Sequence, residues 1–149
     1  MNKTLILLVL VSLGFTGCAK NYGNFINVEA SPPGVSEALA EEAAKQISTL
    51  YPPAKTHIKF DQPTPDKFGT WLLSTLRSEG YAVVEQNASS QAQETNANSY
   101  QNLSLRYVVD ASDKNLYRVM IFLDGQTLAR AYTVKDNTLA PAGAWVRKE

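Results

Sequence analysis

The stretch Leu103-Ser104-Leu105-Arg106-Tyr107-Val108-Val109-Asp110 decides the fold. Leu103, Leu105, Tyr107 and Val109 alternate with Ser104, Arg106 and Asp110, the period of two that gives a strand one apolar and one polar face. A turn at Ser112-Asp113-Lys114-Asn115 follows, and Leu116 to Leu123 (LYRVMIFL) is the most apolar strand of the chain. Asp124-Gly125 is a tight hairpin signal into Thr127 to Val134, because two-residue loops need residues that tolerate positive φ. Strands joined by such short turns predict an antiparallel meander. The chain closes with Ala140-Pro141-Ala142-Gly143-Ala144-Trp145-Val146-Arg147. There Trp145 either closes the core as part of a last strand or stays available as an aromatic anchor for a partner.

Upstream of the meander, residues 86–99 (QNASSQAQETNANS) hold no large apolar side chain and a single charge. Such a segment cannot offset its ordering entropy by burial, so it reads as a flexible loop. Tyr81 to Glu85 reads as a strand. Before it, Thr64-Pro65-Asp66 reads as the start of a helix, with a hydroxyl cap, a proline in the first turn and an acid beside it. That helix is expected to bury Phe68, Trp71, Leu72, Thr75 and Leu76 on one stripe and to stop at Gly80, with Trp71 in the core. Thr56-His57-Ile58-Lys59-Phe60 alternates as a short strand. A first helix runs from Ser36, with Val35, Leu39, Ala43 and Ile47 at intervals of four, Leu50 extending the stripe, and Glu37, Glu41 and Glu42 near its positive end. Pro52-Pro53 ends it. The order predicts an α+β domain over residues 34–149: two helices, a short strand pair and a C-terminal antiparallel meander, with no internal repeat.

The first residues form a targeting signal rather than part of the fold. Lys3 supplies a positive charge, Leu5 to Leu13 (LILLVLVSL) an apolar run, and Gly14-Phe15-Thr16-Gly17 a small-residue approach to Cys18. The apolar run is too short for a transmembrane helix, which needs about 20 residues, so residues 1–17 read as a signal peptide. Phe15-Thr16-Gly17-Cys18 resembles the bacterial lipobox, with Phe15 where leucine is usual. Cys18 is the only cysteine of the chain, and a lone thiol in an oxidising compartment has no intramolecular partner. The resemblance implies a covalent diacylglycerol and an N-acyl lipid on Cys18 and no other cofactor. About three acyl chains anchor a protein durably, since each buried CH₂ contributes roughly 0.8 kcal/mol. Among Gram-negative lipoproteins an aspartate after the lipidated cysteine favours the inner membrane; Ala19 and Lys20 stand here, which implies the periplasmic face of the outer membrane.

Between anchor and domain, residues 18–33 read as a tether ending at the stiff Ser31-Pro32-Pro33-Gly34 corner. Tyr22, Phe25, Ile26 and Val28 are too few, and too interrupted by Gly23 and Asn24, to build a core of their own. Two readings stay open for them: they dock on a partner, as does the tail around Trp145, or they lie at the bilayer interface.

Lys+Arg 14 balance Asp+Glu 14, and no local run of basic residues stands out, so direct nucleic-acid binding is not expected. Chemistry is sparsely provided for. His57 is the only histidine, flanked by Lys55 and Lys59, and neither a nucleophile relay nor a metal cage is expected from it. Asp61 and Asp66 flank Gln62-Pro63-Thr64-Pro65, where turn and helix-cap roles account for both. The eight glycines form no phosphate-cradling loop. No catalytic residue, metal site or small-molecule substrate is expected.

The lipobox taken with Tyr22-Gly23-Asn24-Phe25, Leu50-Tyr51-Pro52-Pro53-Ala54-Lys55-Thr56, Gln62-Pro63-Thr64-Pro65-Asp66 with Phe68-Gly69, Gly80-Tyr81-Ala82-Val83 and Ala140 to Lys148 resembles the TrbH conjugal transfer lipoproteins over nearly the whole mature chain. That resemblance implies a non-catalytic subunit of a mating-pair-formation apparatus, a type IV secretion system that moves plasmid DNA. Its role would be to anchor and assemble the core complex, with a TrbG-type subunit as partner. It also implies a small α+β fold like the N-terminal domains of secretins. The rival reading is a generic envelope-maintenance or ligand-binding lipoprotein, which a pocket lined by convergent polar groups would favour.

Overall fold

The computed structural model of the protein describes residues 25–28, 31–86 and 100–149. Its elements are β1 (Phe25–Asn27), α1 (Val35–Leu50), β2 (Thr56–Phe60), α2 (Lys67–Ser78), β3 (Ala82–Val84), β4 (Gln101–Asp113), β5 (Leu116–Leu123), β6 (Gln126–Lys135), β7 (Thr138–Pro141) and β8 (Val146–Lys148). All the strands belong to one mixed sheet, so the fold is α+β, as the sequence predicts. Its centre is the antiparallel meander β4-β5-β6. The edge of β4 carries two short parallel strands end to end, β2 along Gln101 to Leu105 and β1 along Val108 to Asp110. The edge of β6 likewise carries β7 along Tyr132 to Lys135 and β8 along Thr127 to Ala129, both antiparallel. β3 pairs in parallel with β2 through the α2 crossover, which is the short strand pair expected from sequence.

The hairpin between β5 and β6 turns on Asp124 and Gly125, at φ 44° and 85°. Two consecutive positive φ values give the primed turn whose twist matches that of the strands. Asp136 and Asn137, at φ 51° and 58°, repeat the device between β6 and β7.

Both helices lie on one face of the sheet. Tyr107 on β4 donates to Asp66 at the start of α2, and Arg130 on β6 reaches Glu42 of α1 at 3.2 Å. Between them sits a single core. Val35, Leu39, Ala40, Ala43, Ala44 and Ile47 of α1 meet Phe68, Leu72, Leu73 and Leu76 of α2, and both meet Leu105, Tyr107, Val119, Ile121 and Leu128 of the meander. Alternation delivers this: β5 buries Tyr117, Val119, Ile121 and Leu123 and leaves Leu116, Arg118, Met120 and Phe122 on the other face.

Two expectations about α2 are corrected. Its cap is Asp66, whose side chain accepts from Gly69 N at 2.7 Å, so the helix opens at Lys67 and Pro65 precedes the cap instead of sitting in the first turn. Trp71 is not in the core; it is 42% exposed, and Thr75 is only half-buried. At about 100° per residue the arc closed by Phe68, Gly69, Leu72, Leu73 and Leu76 lies on the Gly69 and Leu73 side, which puts Trp71 roughly 130° from its centre. The expected stripe takes Trp71 where the buried arc takes Leu73, and the arc also includes Gly69, which has no side chain to signal its place. Its closeness to the sheet explains the residue: a Cβ on Gly69 would lie 2.0 Å from the Tyr107 hydroxyl oxygen.

Candidate functional site

The face of the sheet opposite the helices carries no element among the described residues, and the strand register sets its side chains in transverse rows. Met120 pairs with Val108 on one side and Ala129 on the other, Ala129 pairs with Val146, and Val108 pairs with Phe25. One apolar row therefore crosses four strands in the order β4, β5, β6, β8, and β1 runs beside it with Phe25 in register with Val108. Val108, Met120 and Ala129 are half-buried by their neighbours, and Val146 is 63% exposed.

The rows flanking it differ in charge. On one side Arg106, Phe122, Thr127 and Lys148 are in register, with the Arg106 guanidinium 5.3 Å above the Phe122 ring. Arg106 lies 3.9 Å from Asp61, whose carboxylate also accepts from the Ser104 hydroxyl. Lys59, opposite Ser104 on β2, extends this positive flank, and neither Lys59 nor Lys148 has an ion pair among the described residues. On the other side Asn27, Asp110, Arg118 and Ala131 are in register. There Arg118 is neutralised by a two-point contact with Asp110, at 3.2 and 2.5 Å, and that hydrogen bond raises the guanidinium pKa further.

The structure distributes the residues singled out from sequence as follows. Cys18 and Tyr22 lie outside the described residues, as does the loop expected at 86–99 except for Gln86. Phe25 and Ile26, in the stretch read as a tether, belong to β1 and stand opposite Val108 and Val109. Val28 is partly buried against the core. Trp145 takes the core side: it is half-buried, with its ring edge-on to Tyr132 at 6.3 Å and 75°. Its neighbour Val146 ends the apolar row. Tether and tail, far apart in sequence, are thus brought to the two ends of one row. The register of β1 and β8 is what sequence reasoning missed, since strands of three residues leave no measurable period.

Sites of other kinds gain little from the geometry. Asp61 sits with Ser104 and Arg106 on the open face, while Asp66 bonds Tyr107 on the helix face, so the two carboxylates lie on opposite sides of β4. His57 stacks on Tyr100 at 4.3 Å. Among the described residues no group of three His, Cys, Asp or Glu side chains is placed to hold a metal ion, and no helix is long and apolar enough to cross a membrane. A shallow groove of about 400 Å³ is lined by Lys45, Ser48, Thr49, Pro53 and Glu79, but Ser48 already donates to Glu79 there.

Fold and face together define a two-layer α+β protein with one side of its sheet covered by helices and the other, which no described element covers, crossed by an apolar row. Residues 19–149 match the family model described as conjugal transfer protein TrbH, and the chain belongs to that family. No curated protein and no solved structure matches it.

Proposed function

We propose that this protein is a lipid-anchored, outer-membrane subunit of a conjugative type IV secretion apparatus, and that it works by holding another core subunit rather than by catalysis. The observation that carries this reading is the apolar row from Val108 to Val146 on a sheet face that no described element covers, in a member of a conjugal transfer family. A half-buried apolar strip that no described element covers supports docking of a partner there. Membership of a conjugal transfer family supports a part for that interaction in DNA transfer, and a TrbG-type core subunit is the proposed partner. Phe15-Thr16-Gly17-Cys18 supports the anchor, with diacylglycerol and an N-acyl chain on Cys18 fixing the protein to the periplasmic face of the outer membrane.

Cys18→Ser tests the anchor. Labelling with radioactive palmitate and membrane fractionation should show loss of the lipid and release from the outer membrane, with a fall in plasmid transfer. Unchanged sedimentation in the outer-membrane fraction overturns the anchoring site. Changing Phe25 and Ile26 together to Ser with Cys18 intact tests the docking end of the row: the core subunit should cease to co-purify while the lipoprotein stays at the membrane.

A further inference from the structure

We propose that the outward face of α2, led by Trp71, rests in the headgroup region of the bilayer that holds Cys18; this rests on the reading of Cys18 as the lipidated residue. Seven residue steps separate Cys18 from Phe25. At about 3.6 Å per residue at most, the lipidated residue lies within roughly 25 Å of Phe25 whatever path the chain takes. Phe25 is a fixed point, in register with Val108 on β4. The neighbouring Tyr107 donates to Asp66, the cap of α2, so the chain joins the sheet beside the start of that helix.

This limit excludes one edge of the sheet. Phe25, Val108, Met120, Ala129 and Val146 are in register, which sets β8 four strand spacings of about 4.8 Å from β1. A chain passing over a face of the sheet stands off by about 10 Å, the separation of packed layers, and needs roughly 30 Å to reach past β8. The edge of β7 and β8 therefore points away from the bilayer. A layer of helix adds only about 10–12 Å to the sheet, which leaves the outward face of α2 within reach.

Among the surfaces within reach, α2 carries the side chains that suit lipid headgroups. Its exposed residues are Lys67, Thr70, Trp71, Ser74, Arg77 and Ser78, and Trp71 is the one large apolar side chain among them. An indole turned to solvent on a polar helix face gains little from packing, whereas the headgroup region takes its apolar ring and its N–H together. Lys67, one turn earlier on the same side, makes no ion pair among the described residues and adds attraction to anionic lipid. The outward side of α1 offers Glu37 and Glu41 instead. Because both helices lie on one face of the sheet, this seating turns the uncovered face away from the bilayer, where another subunit has access to it.

The test reconstitutes the purified full-length lipoprotein in vesicles of phosphatidylethanolamine and phosphatidylglycerol, with and without bromine on the acyl chains near the headgroups, and reads tryptophan emission from the floated vesicles. The chain has two tryptophans, and Trp145 is half-buried beside Tyr132. Brominated lipid should quench roughly half of the emission, and in Trp71→Phe that quenching should fall at least about fivefold. Quenching that persists in Trp71→Phe belongs to Trp145 and overturns the proposal, as does the absence of quenching in protein that floats with the vesicles. In both of those cases the anchor stands and only the contact falls. Protein that does not float fails the anchor reading, and the contact falls with it.

Discussion

The Tyr107 hydroxyl donates to Asp66 Oδ2 at 2.5 Å, while Asp66 Oδ1 accepts from Gly69 N at 2.7 Å. One carboxylate thus caps α2 and clamps it to the middle of β4. Tyr107 and Gly69 form one unit, because the hydroxyl occupies the space that any side chain at 69 would need. Gly69→Ala should destabilise by about 1–3 kcal/mol, the range for overpacking a close contact. Tyr107→Phe should cost about 1–3 kcal/mol through the carboxylate oxygen left with one partner fewer. The double variant should lose less than the sum, since removing the hydroxyl removes the 2.0 Å contact, the shortest of the three, and leaves Thr64 Cβ at 2.8 Å and the ring carbon at 3.0 Å. Urea denaturation of all four proteins measures the coupling; additive losses would mean that α2 shifts away from β4 instead.

The same clamp predicts an alkaline limit to stability. Burial, then the hydrogen bond to Asp66 and the charge of that carboxylate, hold the Tyr107 phenol well above its ordinary value of 10.0. Burial raises Tyr81 as well and pushes Tyr132 up to about 12, with Arg130 opposing and Glu42 reinforcing the rise. The unfolded chain releases these protons near pH 10 and the folded chain keeps them. Their contribution is therefore complete below pH 10 and is lost as pH climbs through the folded values. Melting temperature should decline steeply above pH 10, in step with the tyrosinate absorbance. In Tyr107→Phe the decline should be shallower. An identical slope in both proteins would assign the alkaline transition to other groups.

Trp71 now calls for the opposite of a core prediction. At 42% exposure, opposite the buried arc of α2, it loses little packing on truncation. Trp71→Ala should lower stability by about 1 kcal/mol or less, against the 3–5 kcal/mol typical of a buried tryptophan. Calorimetry of the purified variant decides between the two values.

What the sequence made legible followed the strength of its periods. The meander has three strands of eight or more residues, and its alternation and the Asp124-Gly125 turn were enough to give order and facing. α1 was equally plain, since Val35, Leu39, Ala43 and Ile47 form an unbroken stripe ended by Pro52-Pro53. The phase of α2 is ambiguous in the sequence, because Trp71 and Leu73 compete for the stripe and Gly69, which lies against Tyr107, carries no side chain. The candidate site was scarcely legible. A row across strands is made of residues far apart in the chain, and Phe25, Val108, Met120, Ala129 and Val146 become neighbours only through register. Within its own strand each reads as the less regular half of an alternation. The register of the two short strands that close the row depends on β4 and β6, to which they pair.

The last prediction sets two adjacent residues of β5 against each other. Ile121 points to the helices and is fully buried, while Met120 stands on the open face between Val108 and Ala129. Ile121→Ala should cost about 2–5 kcal/mol, by lost burial and the cavity left behind, and should lower the amount of folded lipoprotein in the cell. Met120→Glu should leave the melting temperature within a few degrees, since its side chain reaches solvent, yet it puts a charge in the middle of the apolar row. If that row holds a partner, plasmid transfer should drop strongly in Met120→Glu at normal protein level, whereas Met120→Leu should transfer as the parent does. Mating efficiency measured beside immunoblots separates the two causes of failure. Normal transfer in Met120→Glu would mean that the open face carries no partner.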